Sequence, residues 1–417
     1  MNILFVTYHT CARAAKEARA LERAGHQVII LQNVAASEEI LYATELSSFY
    51  RTEADLQARI SYFAEWAEVI HVHNEPNWIV SAAAAARDRS CPLVPVIFDV
   101  HDLDSQRAEG NIDKDETPAI HASDGFIFPS KSYQIGVQKI YNIGILPARV
   151  IYSMCSRDDI VTDKLPRVNG LVYEGATVAP MANFNDRTPG YKAYRDYVGL
   201  SKQLTALGIP FHIYGVRKDF QRSYLNAGAV VHDLHPFPDM MRQISRYDWG
   251  LCGHLGDHPQ WQKAMPNKLF EYIAAGIPVV AINAGEVGEF VERYGLGIKA
   301  RHIAELIRVV TSKSRDHIFY NIIRETVEEN RHKFVMESQV PEVEALYGEA
   351  AAFRKCRLEA GLQMRAGAAG KGANRPWVCF NGAQVSTTDR GGCDQSECSI
   401  QSAAGEDQGA LQRELPA

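Results

Sequence analysis

The segment at residues 265–280, MPNKLFEYIAAGIPVV, has the residue types and spacing of a helix whose first turn could bind an anion. Pro266 favours the first turn of a helix, because its missing N–H and fixed φ cost nothing there. Gly276 is typical of a helix end, and Pro278 prevents the helix from continuing. The segment therefore predicts a short helix, followed by a strand at residues 278–282.

Three backbone amides at the start of this helix could bind a diphosphate without a metal, because the first amides of a helix have no partner within it. They belong to Asn267, Lys268 and Leu269. Glu271 lies one turn further along, where its carboxylate could accept both hydroxyls of a ribose. The alternative for Glu271 is a solvated carboxylate on a helix surface.

A second group of polar residues directly follows the strand predicted at residues 94–99. His101 lies between Asp99 and Asp102. A carboxylate can fix the tautomer of an imidazole and raise its basicity, so this trio could orient an acceptor hydroxyl or stabilise developing charge. Strand alternation places Asp99 and His101 on one side, with Asp102 on the other. The alternative is a strand-end turn in which the aspartates cap backbone amides.

His73 and Asn74 occupy the corresponding place after the strand predicted at residues 69–72. In open parallel sheets, ligands bind beyond the carboxyl ends of the strands. Both residues are therefore expected on the acceptor side of a cleft.

The elements that must position these residues alternate between short apolar runs and helical patterns. In the first half, the sequence predicts strands at residues 3–6, 28–31, 69–72, 94–99, 125–128 and 149–151, and helices at 12–24, 55–67 and 79–89. In the second half, it predicts strands at residues 171–173, 211–214, 230–231, 249–252 and 279–282. The pattern favours an α/β fold with two Rossmann-like parallel sheets facing a central cleft.

The predicted domains are residues 1–160 and 167–315, on either side of a polar stretch near residues 158–169. A helical segment at residues 316–357 closes the folded part. Residues 358–417 are rich in Gly, Ser, Gln and Ala without a sustained apolar period, so a disordered tail is expected there.

The composition is that of a soluble globular protein: 46% of the 417 residues are hydrophobic, 23% are charged and the net charge is −6. This balance gives no general affinity for nucleic acid. The start, MNILFVTYHT, lacks the features of a signal peptide, and no apolar run approaches the ~20 residues of a membrane span. The eight cysteines show no zinc spacing. We expect a cytoplasmic protein without a nucleic-acid partner or a metal site.

The segment at residues 265–280 resembles the donor-nucleotide motif of family 4 and related glycosyltransferases with the GT-B fold. LVYEG at residues 171–175 and FHIYG at residues 211–215 resemble strands of that family's nucleotide-binding domain, where Gly215 lets the backbone approach the nucleotide. The resemblance covers roughly residues 1–350. It implies that Glu271 binds the donor, that the sugar keeps its anomeric configuration, and that no tightly held metal and no cofactor are needed.

The sequence departs from the family pattern in two places. Lys263 stands eight positions before Glu271, where the family has an acidic residue. The loop at residues 7–13 lacks the family's glycines, although Arg13 could supply an anion contact there. The family also holds the diphosphate with an Arg and a Lys of the C-terminal domain, for which Arg187 and Lys192 are the candidates.

The helix predicted at residues 12–24 carries mostly basic charge, from Arg13, Lys16, Arg19 and Arg23. Such a face could touch anionic lipid, as peripheral glycosyltransferases acting on lipid-linked acceptors do. The alternative is a solvated face, because Glu17 and Glu22 interrupt the charge.

The resemblance thus implies an enzyme of polysaccharide biosynthesis that moves a sugar from a nucleoside diphosphate sugar to a glycan or lipid-linked acceptor. Its expected location is the cytoplasm or the cytoplasmic face of a membrane. A nucleotide-sugar epimerase shares the architecture, but it needs carboxylates around the sugar, and Lys263 argues against it. A non-catalytic GT-B module that binds a nucleotide sugar or a partner is the other alternative, supported by the two departures.

Overall fold

Two parallel β-sheets, one in each half of the chain, form the core of the molecule. The computed structural model describes residues 1–33, 47–107, 113–181, 192–256, 259–313 and 317–368. Along the first strand, Leu4 and Val6 enter one apolar cluster while Ile3 and Phe5 enter another. Both faces of this sheet are therefore covered, as the near-continuous apolar strands predict.

The N-terminal sheet has seven strands in the order β3-β2-β1-β4-β5-β6-β7. They are β1 (Asn2–Val6), β2 (Gln27–Asn33), β3 (Ser47–Tyr50), β4 (Val69–His73), β5 (Val96–Asp99), β6 (Gly125–Phe128) and β7 (Ala148–Val150). The helices of this half are α1 (Ala12–Arg23), α2 (Glu53–Ala64), α3 (Trp78–Ser90), α4 (Asp104–Arg107), α5 (Glu116–Ala122) and α6 (Lys131–Tyr141).

The C-terminal sheet has six strands in the order β10-β9-β8-β11-β12-β13. They are β8 (Val168–Glu174), β9 (Phe211–Tyr214), β10 (Val230–His232), β11 (Tyr247–Gly253), β12 (Val279–Ile282) and β13 (Gly297–Ala300). The helices that follow or separate them are α7 (Val198–Ala206), α8 (Lys218–Asn226), α9 (Phe237–Ile244), α10 (Pro259–Lys263), α11 (Asn267–Ala275), α12 (Gly285–Arg293) and α13 (Ile303–Arg308).

Two helices end the described chain: the first buries Tyr320 and Ile323 against the C-terminal sheet, and the second returns to the N-terminal sheet. They are α14 (His317–Asn330) and α15 (Val340–Ala368). Residues at the start of α15, including Leu346 and Tyr347, are buried in the same cluster as Ile3 and Phe5 of β1. This helix therefore packs on the N-terminal sheet, and α1 packs on the same face through Ala18 and Leu21.

The α/β class and the two parallel sheets are confirmed, and every predicted strand is present with small shifts at its ends. Strands β3 and β13, which are edge strands of four residues each, were not predicted. The segment predicted as one helical stretch from residue 317 contains a break between α14 and α15. Helix α15 extends to Ala368, and the remainder of the predicted disordered tail lies outside the described residues.

Candidate functional site

Helix α11 has the ends that the sequence predicts. Pro266 is its N-cap residue with an extended backbone, and Gly276 ends it in the left-handed conformation at φ 71°. The strand β12 follows directly. The Leu269 amide donates to the Pro266 carbonyl at 3.1 Å, so this amide is already engaged within the first turn. The Asn267 and Lys268 amides, the first two of the helix, have no partner within it, and anion binding by them stays a prediction.

Glu271 lies one turn into α11 and is 8% exposed. Its carboxylate contacts the Lys16 ammonium of α1 at 3.4 Å, so the two halves of the chain meet at this residue. Burial raises the pKa of Glu271, but the Lys16 charge and a hydrogen bond from Glu174 outweigh it and lower the pKa below its ordinary value. Glu271 is therefore ionised at neutral pH, and it is not the solvated surface carboxylate of the alternative interpretation.

Glu174, at the carboxyl end of β8, shares this buried corner and was not singled out from the sequence. Burial raises the pKa of Glu174 well above its ordinary value, and the negative charge of Glu271 adds to this shift. Two carboxyl groups in contact rarely ionise together, because like charges repel strongly in a low-dielectric site. The pair thus holds one proton, with Glu174 neutral and Glu271 charged.

The Lys268 side chain adds a positive charge to the same corner, where the sequence analysis used only its amide. Its ammonium donates to the Glu174 carbonyl at 2.7 Å and lies 3.9 Å from the centre of the Tyr173 ring. Burial opposes the charge, but Tyr173 and nearby acidic groups outweigh it and raise the pKa of Lys268. Lys268 therefore stays protonated next to the N-terminal amides of α11.

Gly175 and Gly215 line this corner where β8 and β9 end. Both have positive φ, 124° and 89°, which favours glycine. A Cβ at Gly215 would lie 2.9 Å from the Gly175 carbonyl oxygen, and a Cβ at Gly175 would lie 2.9 Å from the Lys268 ammonium. Gly215 thus lets the ends of β8 and β9 approach each other closely, and the approach of a nucleotide to it stays a prediction.

The structure describes one of the two candidates from the polar loop of the C-terminal half. Arg187 lies outside the described residues. Lys192 is exposed and precedes the 3₁₀ turn Ala193–Arg195. Arg195 in that turn is a further cation, and its guanidinium lies 5.7 and 5.9 Å from the ring centres of Tyr194 and Trp261. Its buried Nε has no hydrogen-bond partner among the described residues.

On the opposite side, Asp99 and His101 come together as the alternation predicts, with 3.6 Å between Asp99 Oδ1 and His101 Nε2. His101 is the exposed member, with 19% of its side chain accessible. Burial lowers the pKa of His101 to about 4 despite the attraction of Asp99. The imidazole is therefore neutral at pH 7 and able to exchange hydrogen bonds with a ligand.

Asp102 has contacts of its own. Its Oδ1 accepts a hydrogen bond of 2.6 Å from Gln260 of α10, and its carbonyl accepts one of 2.6 Å from Asn74. Asp102 thus links the two halves of the chain, and its place in a trio with Asp99 and His101 stays a prediction.

His73 and Asn74 are buried behind His101 and do not line the site. His73 is fully buried, and its Nδ1 lies 3.1 Å from His101 Nε2. Asn74 is 4% exposed and accepts a hydrogen bond of 2.6 Å from the His101 amide. The prediction that they contact an acceptor is therefore corrected: both hold the loop that carries His101.

The prediction that Arg13 supplies an anion contact in the cleft is also wrong. It is 6% exposed, and its Nε donates to both oxygens of Asp99 at 3.0 and 3.1 Å. Its Nη1 donates to the Ile151 carbonyl, and Nη2 lies 3.0 Å from Glu17. All three nitrogens are directed at groups of the chain itself, so Arg13 cannot meet an incoming phosphate.

The basic face predicted for α1 is largely used inside the molecule. Arg13 and Lys16 are buried, and Arg23 forms ion pairs with Asp158 and Glu337. The structure thus does not present this face for lipid binding. Among the described residues, no helix has both the length and the apolarity needed to cross a membrane.

Lys263, the departure from the family pattern, faces the N-terminal half. Its ammonium donates to Gln106 at 2.9 Å, and its carbonyl accepts a hydrogen bond from Ser130. Glu286 of α12 accepts hydrogen bonds from the amides of Lys131 and Ser132 at 3.1 and 3.2 Å, where α6 begins. Lys263, where the family has an acidic residue, thus joins Glu286 in holding the two halves of the chain together.

Comparison with known proteins gives matches of fold only. No protein-family model and no curated relative matches the sequence. An alpha-glucosyltransferase solved with UDP-glucose and DNA containing an abasic site aligns with a TM-score of 0.58 and 12% identity, over 80% of this chain and 95% of its own. HepE of Anabaena, solved with UDP, aligns with a TM-score of 0.61 and 14% identity, over 83% of this chain and 100% of its own.

A third solved structure, the lipopolysaccharide outer core galactosyltransferase WaaB in its apo form, aligns with a TM-score of 0.52 and 16% identity. The alignment covers 85% of this chain and all of WaaB. The three alignments each span both sheets and nearly the whole length of the other protein. The chain therefore has the GT-B fold of nucleotide-sugar-dependent glycosyltransferases.

Proposed function

We propose that this chain is a glycosyltransferase that takes a sugar from a nucleoside diphosphate sugar, with UDP as the nucleotide. The observation that carries the proposal is the ionised, buried Glu271 beside the free amide end of α11 and the Lys268 ammonium. The choice of UDP rests on the neighbours of like fold, since the alpha-glucosyltransferase and HepE were solved with UDP or UDP-glucose.

In the proposed donor complex, the two ribose hydroxyls donate to the Glu271 carboxylate. The ammonium of Lys16, which contacts Glu271 at 3.4 Å without ligand, moves aside to admit the ribose. The Asn267 and Lys268 amides and the Lys268 ammonium neutralise the diphosphate as it leaves. The missing side chain at Gly175 admits the Lys268 ammonium close to the backbone, where this charge would meet the diphosphate. These groups suffice for a leaving diphosphate without a bound metal.

The neutral His101 imidazole is proposed to orient the sugar or the acceptor hydroxyl from the opposite wall. Asp99 holds the ring from one side, and His73 and Asn74 fix its position. Retention of the anomeric configuration and a glycan or lipid-linked acceptor complete the proposal, and both rest on the family resemblance.

The first experiment measures UDP binding by calorimetry, with GDP as the competitor for nucleotide identity. Loss of a hydrogen bond to a charged group costs about 1.5–3 kcal/mol, so Glu271→Gln should weaken UDP binding roughly 10- to 100-fold. Glu289→Gln is the matched control, because Glu289 is a helix glutamate with 68% of its side chain exposed. Equal UDP affinity in wild type and Glu271→Gln, or no binding to wild type, would exclude the proposed donor site.

The second experiment measures UDP release from UDP-sugars in the presence of glycans, lipid-linked saccharides and duplex DNA. DNA is included because the alpha-glucosyltransferase neighbour was solved with it. His101→Gln should lower kcat while leaving UDP affinity unchanged. Turnover without added Mg²⁺ or Mn²⁺, and the anomeric configuration of the product by NMR, test the two finer parts of the proposal.

A non-catalytic nucleotide-sugar-binding protein is the second candidate. It is favoured by Lys263, which replaces an acid and bonds to Gln106 across the cleft. Tight UDP-sugar binding without transfer or hydrolysis would support it. Conversion of the UDP-sugar into its epimer, without an acceptor, would instead support an epimerase.

A further inference from the structure

Four buried polar side chains meet on the face of the N-terminal sheet that α1 covers. They are Glu17 of α1, His71 and His73 of β4, and Asp99 of β5, and we call them the Glu-His-His-Asp cluster. Their exposures are between 0% and 1%. One candidate ligand atom from each lies within 4.8 Å of the others. Buried charged groups need a partner, so this cluster requires a physical explanation.

Each histidine of the cluster has one ring nitrogen engaged outside it. His71 Nδ1 lies 2.7 Å from the Tyr347 hydroxyl of α15, and His73 Nδ1 lies 3.1 Å from His101 Nε2. Such outer contacts fix the orientation of metal-binding imidazoles in known sites. They leave the Nε2 atoms of both rings for the interior of the cluster.

Three inner atoms have no hydrogen-bond partner among the described residues. They are His71 Nε2, His73 Nε2 and Glu17 Oε2. The other oxygen of Glu17, Oε1, lies 3.0 Å from Arg13 Nη2. Glu17 Oε2 lies 3.8 Å from His71 Nε2 and 3.9 Å from His73 Nε2, and both distances are too long for a hydrogen bond. Two ligands that are each about 2.0–2.2 Å from one ion can lie up to roughly 4.3 Å apart, so these two distances suit ligands of a shared ion.

The second carboxylate lies at the same point. Asp99 Oδ2 is 3.4 Å from His71 Nε2. Arg13 approaches both carboxylates from outside, through Nε to Asp99 and Nη2 to Glu17. One guanidinium balances only one of two ionised carboxylates, so a negative charge remains for a cation or for a proton on Glu17.

We propose that Glu17, His71, His73 and Asp99 bind a divalent first-row transition ion, with Zn²⁺ as the representative ion. Two imidazoles and two carboxylates form a ligand set suited to Zn²⁺, and hard ions such as Mg²⁺ avoid imidazole. The ion joins α1 to β4 and β5. Its full burial excludes substrate, so its role is to hold His73, and through it His101, in place.

The proposal is independent of the proposed transfer reaction, because it is tested by metal content. The full chain is purified without a polyhistidine tag and analysed by mass spectrometry for Zn, Fe, Co, Ni, Cu and Mn. About one equivalent per chain is expected. Protein stripped with a chelator should regain its Tm when Zn²⁺ is added, and Co²⁺ should give d–d absorption bands. Absence of metal together with no response to Zn²⁺ or Co²⁺ would overturn the proposal.

Glu17→Gln separates an ion from a proton at this site. The amide resembles a protonated Glu17 in shape and charge, so a proton-filled cluster predicts an unchanged or higher Tm and no effect on metal content. The proposal predicts that Zn²⁺ affinity falls at least tenfold. Tyr347→Phe, which removes only the outer contact of His71, should lower Zn²⁺ affinity about 10- to 100-fold.

His212→Gln is the control for the loss of a histidine outside the Glu-His-His-Asp cluster. His212 and His232 also stack, with 3.0 Å between their ring nitrogens, but they belong to no metal-type cluster in the described part of the chain. The control should leave Zn²⁺ affinity unchanged. An equal loss of Zn²⁺ binding in His212→Gln and Glu17→Gln would place the ion elsewhere and contradict the proposal.

Discussion

The two halves of the molecule contain similar charged groups in different surroundings. We call Glu174, Glu271 and Lys268 the C-terminal corner, and Glu17, Asp99 and Arg13 the N-terminal cluster. In each group, one carboxyl residue ends a strand, Glu174 in β8 and Asp99 in β5, and the other carboxyl group and the cation lie on one helix, α11 or α1. In the C-terminal corner, Gly175 admits the Lys268 ammonium close to the backbone. In the N-terminal cluster, the side chains of His71 and His73 lie against the carboxylates instead.

The cations show the same difference. Lys268 and Lys16 are flexible ammonium groups, each with a contact that a ligand could replace. Arg13 has a planar guanidinium whose nitrogens all face fixed groups of the chain. Carboxylate–cation contacts can thus be replaced by a ligand where the cation is a lysine beside glycine. They are fixed parts of the fold where the cation is an arginine beside histidines.

Removing Arg13 should have the largest effect on stability. Arg13→Ala leaves the Asp99 charge buried without its main partner, and breaking a buried ion pair from one side costs about 3–5 kcal/mol. The free energy of unfolding is measured by urea denaturation. Arg217→Ala is the control, because Arg217 pairs with Asp219 on the surface, where a pair contributes about 0–1 kcal/mol. A similar small loss in both variants would show that the N-terminal cluster is not a permanent structural unit.

Removing Lys268 should act on ligand binding instead. Lys268→Met retains the apolar stem near Tyr173 but deletes the charge, so UDP should bind about 10- to 100-fold more weakly while uridine is unaffected. Lys299→Met is the control, since Lys299 lies 4.0 Å from Glu289 near the surface. Equal losses for UDP and uridine would assign Lys268 a structural role and remove the contrast with Arg13.

Much of this architecture could be predicted from local patterns. Apolar runs marked the central strands, and Pro266 and Gly276 marked both ends of α11. The edge strands β3 and β13 were missed because their sequences, SSFY and GIKA, have few apolar residues and are only partly buried. The place of Glu271 one turn into α11 could be predicted because it follows from the start of that helix.

The residues that meet across the fold could not be predicted in the same way. Arg13 had the signature of an exposed first-turn cation, and only the approach of Asp99 from another strand buries it. Lys16 and Glu271 are 255 residues apart in sequence. No periodicity encodes such a contact, because it depends on how the two sheets are placed. For the same reason, Glu17, His71 and Asp99 were not recognised as a group.

The shared proton of Glu174 and Glu271 gives a pH-dependent test of the C-terminal corner. Because the pKa of Glu174 is higher in the folded chain than in the unfolded one, the folded state binds more protons above pH ~4.5. This part of the stability is therefore present at low pH and lost as the pH rises towards the folded pKa. Glu174→Gln removes that loss, so its Tm should rise relative to wild type between pH 5 and 8.

Glu289→Gln serves again as the exposed control and should show a constant difference from wild type over this range. The Tm difference between Glu174→Gln and wild type should grow steadily as the pH rises over this range. A Tm difference that shrinks as the pH rises would mean that Glu174 is ionised in the fold, and the corner would then be as fixed as the N-terminal cluster.

Restoring the acid at position 263 should have the smallest effect on stability and the most specific effect on ligands. Lys263→Glu replaces one partly buried hydrogen bond to Gln106, which contributes about 0.5–1.5 kcal/mol. UDP affinity should stay within twofold, because the nucleotide groups of the proposed site lie on α11 and β8. If a carboxylate at this position meets the donor sugar, UDP-glucose should gain affinity relative to UDP. Lys263→Met deletes the same hydrogen bond without adding an acid. An equal gain in UDP-glucose affinity in both variants would assign the change to a looser contact between the two halves. No gain in either variant would mean that the donor sugar in this chain does not reach position 263.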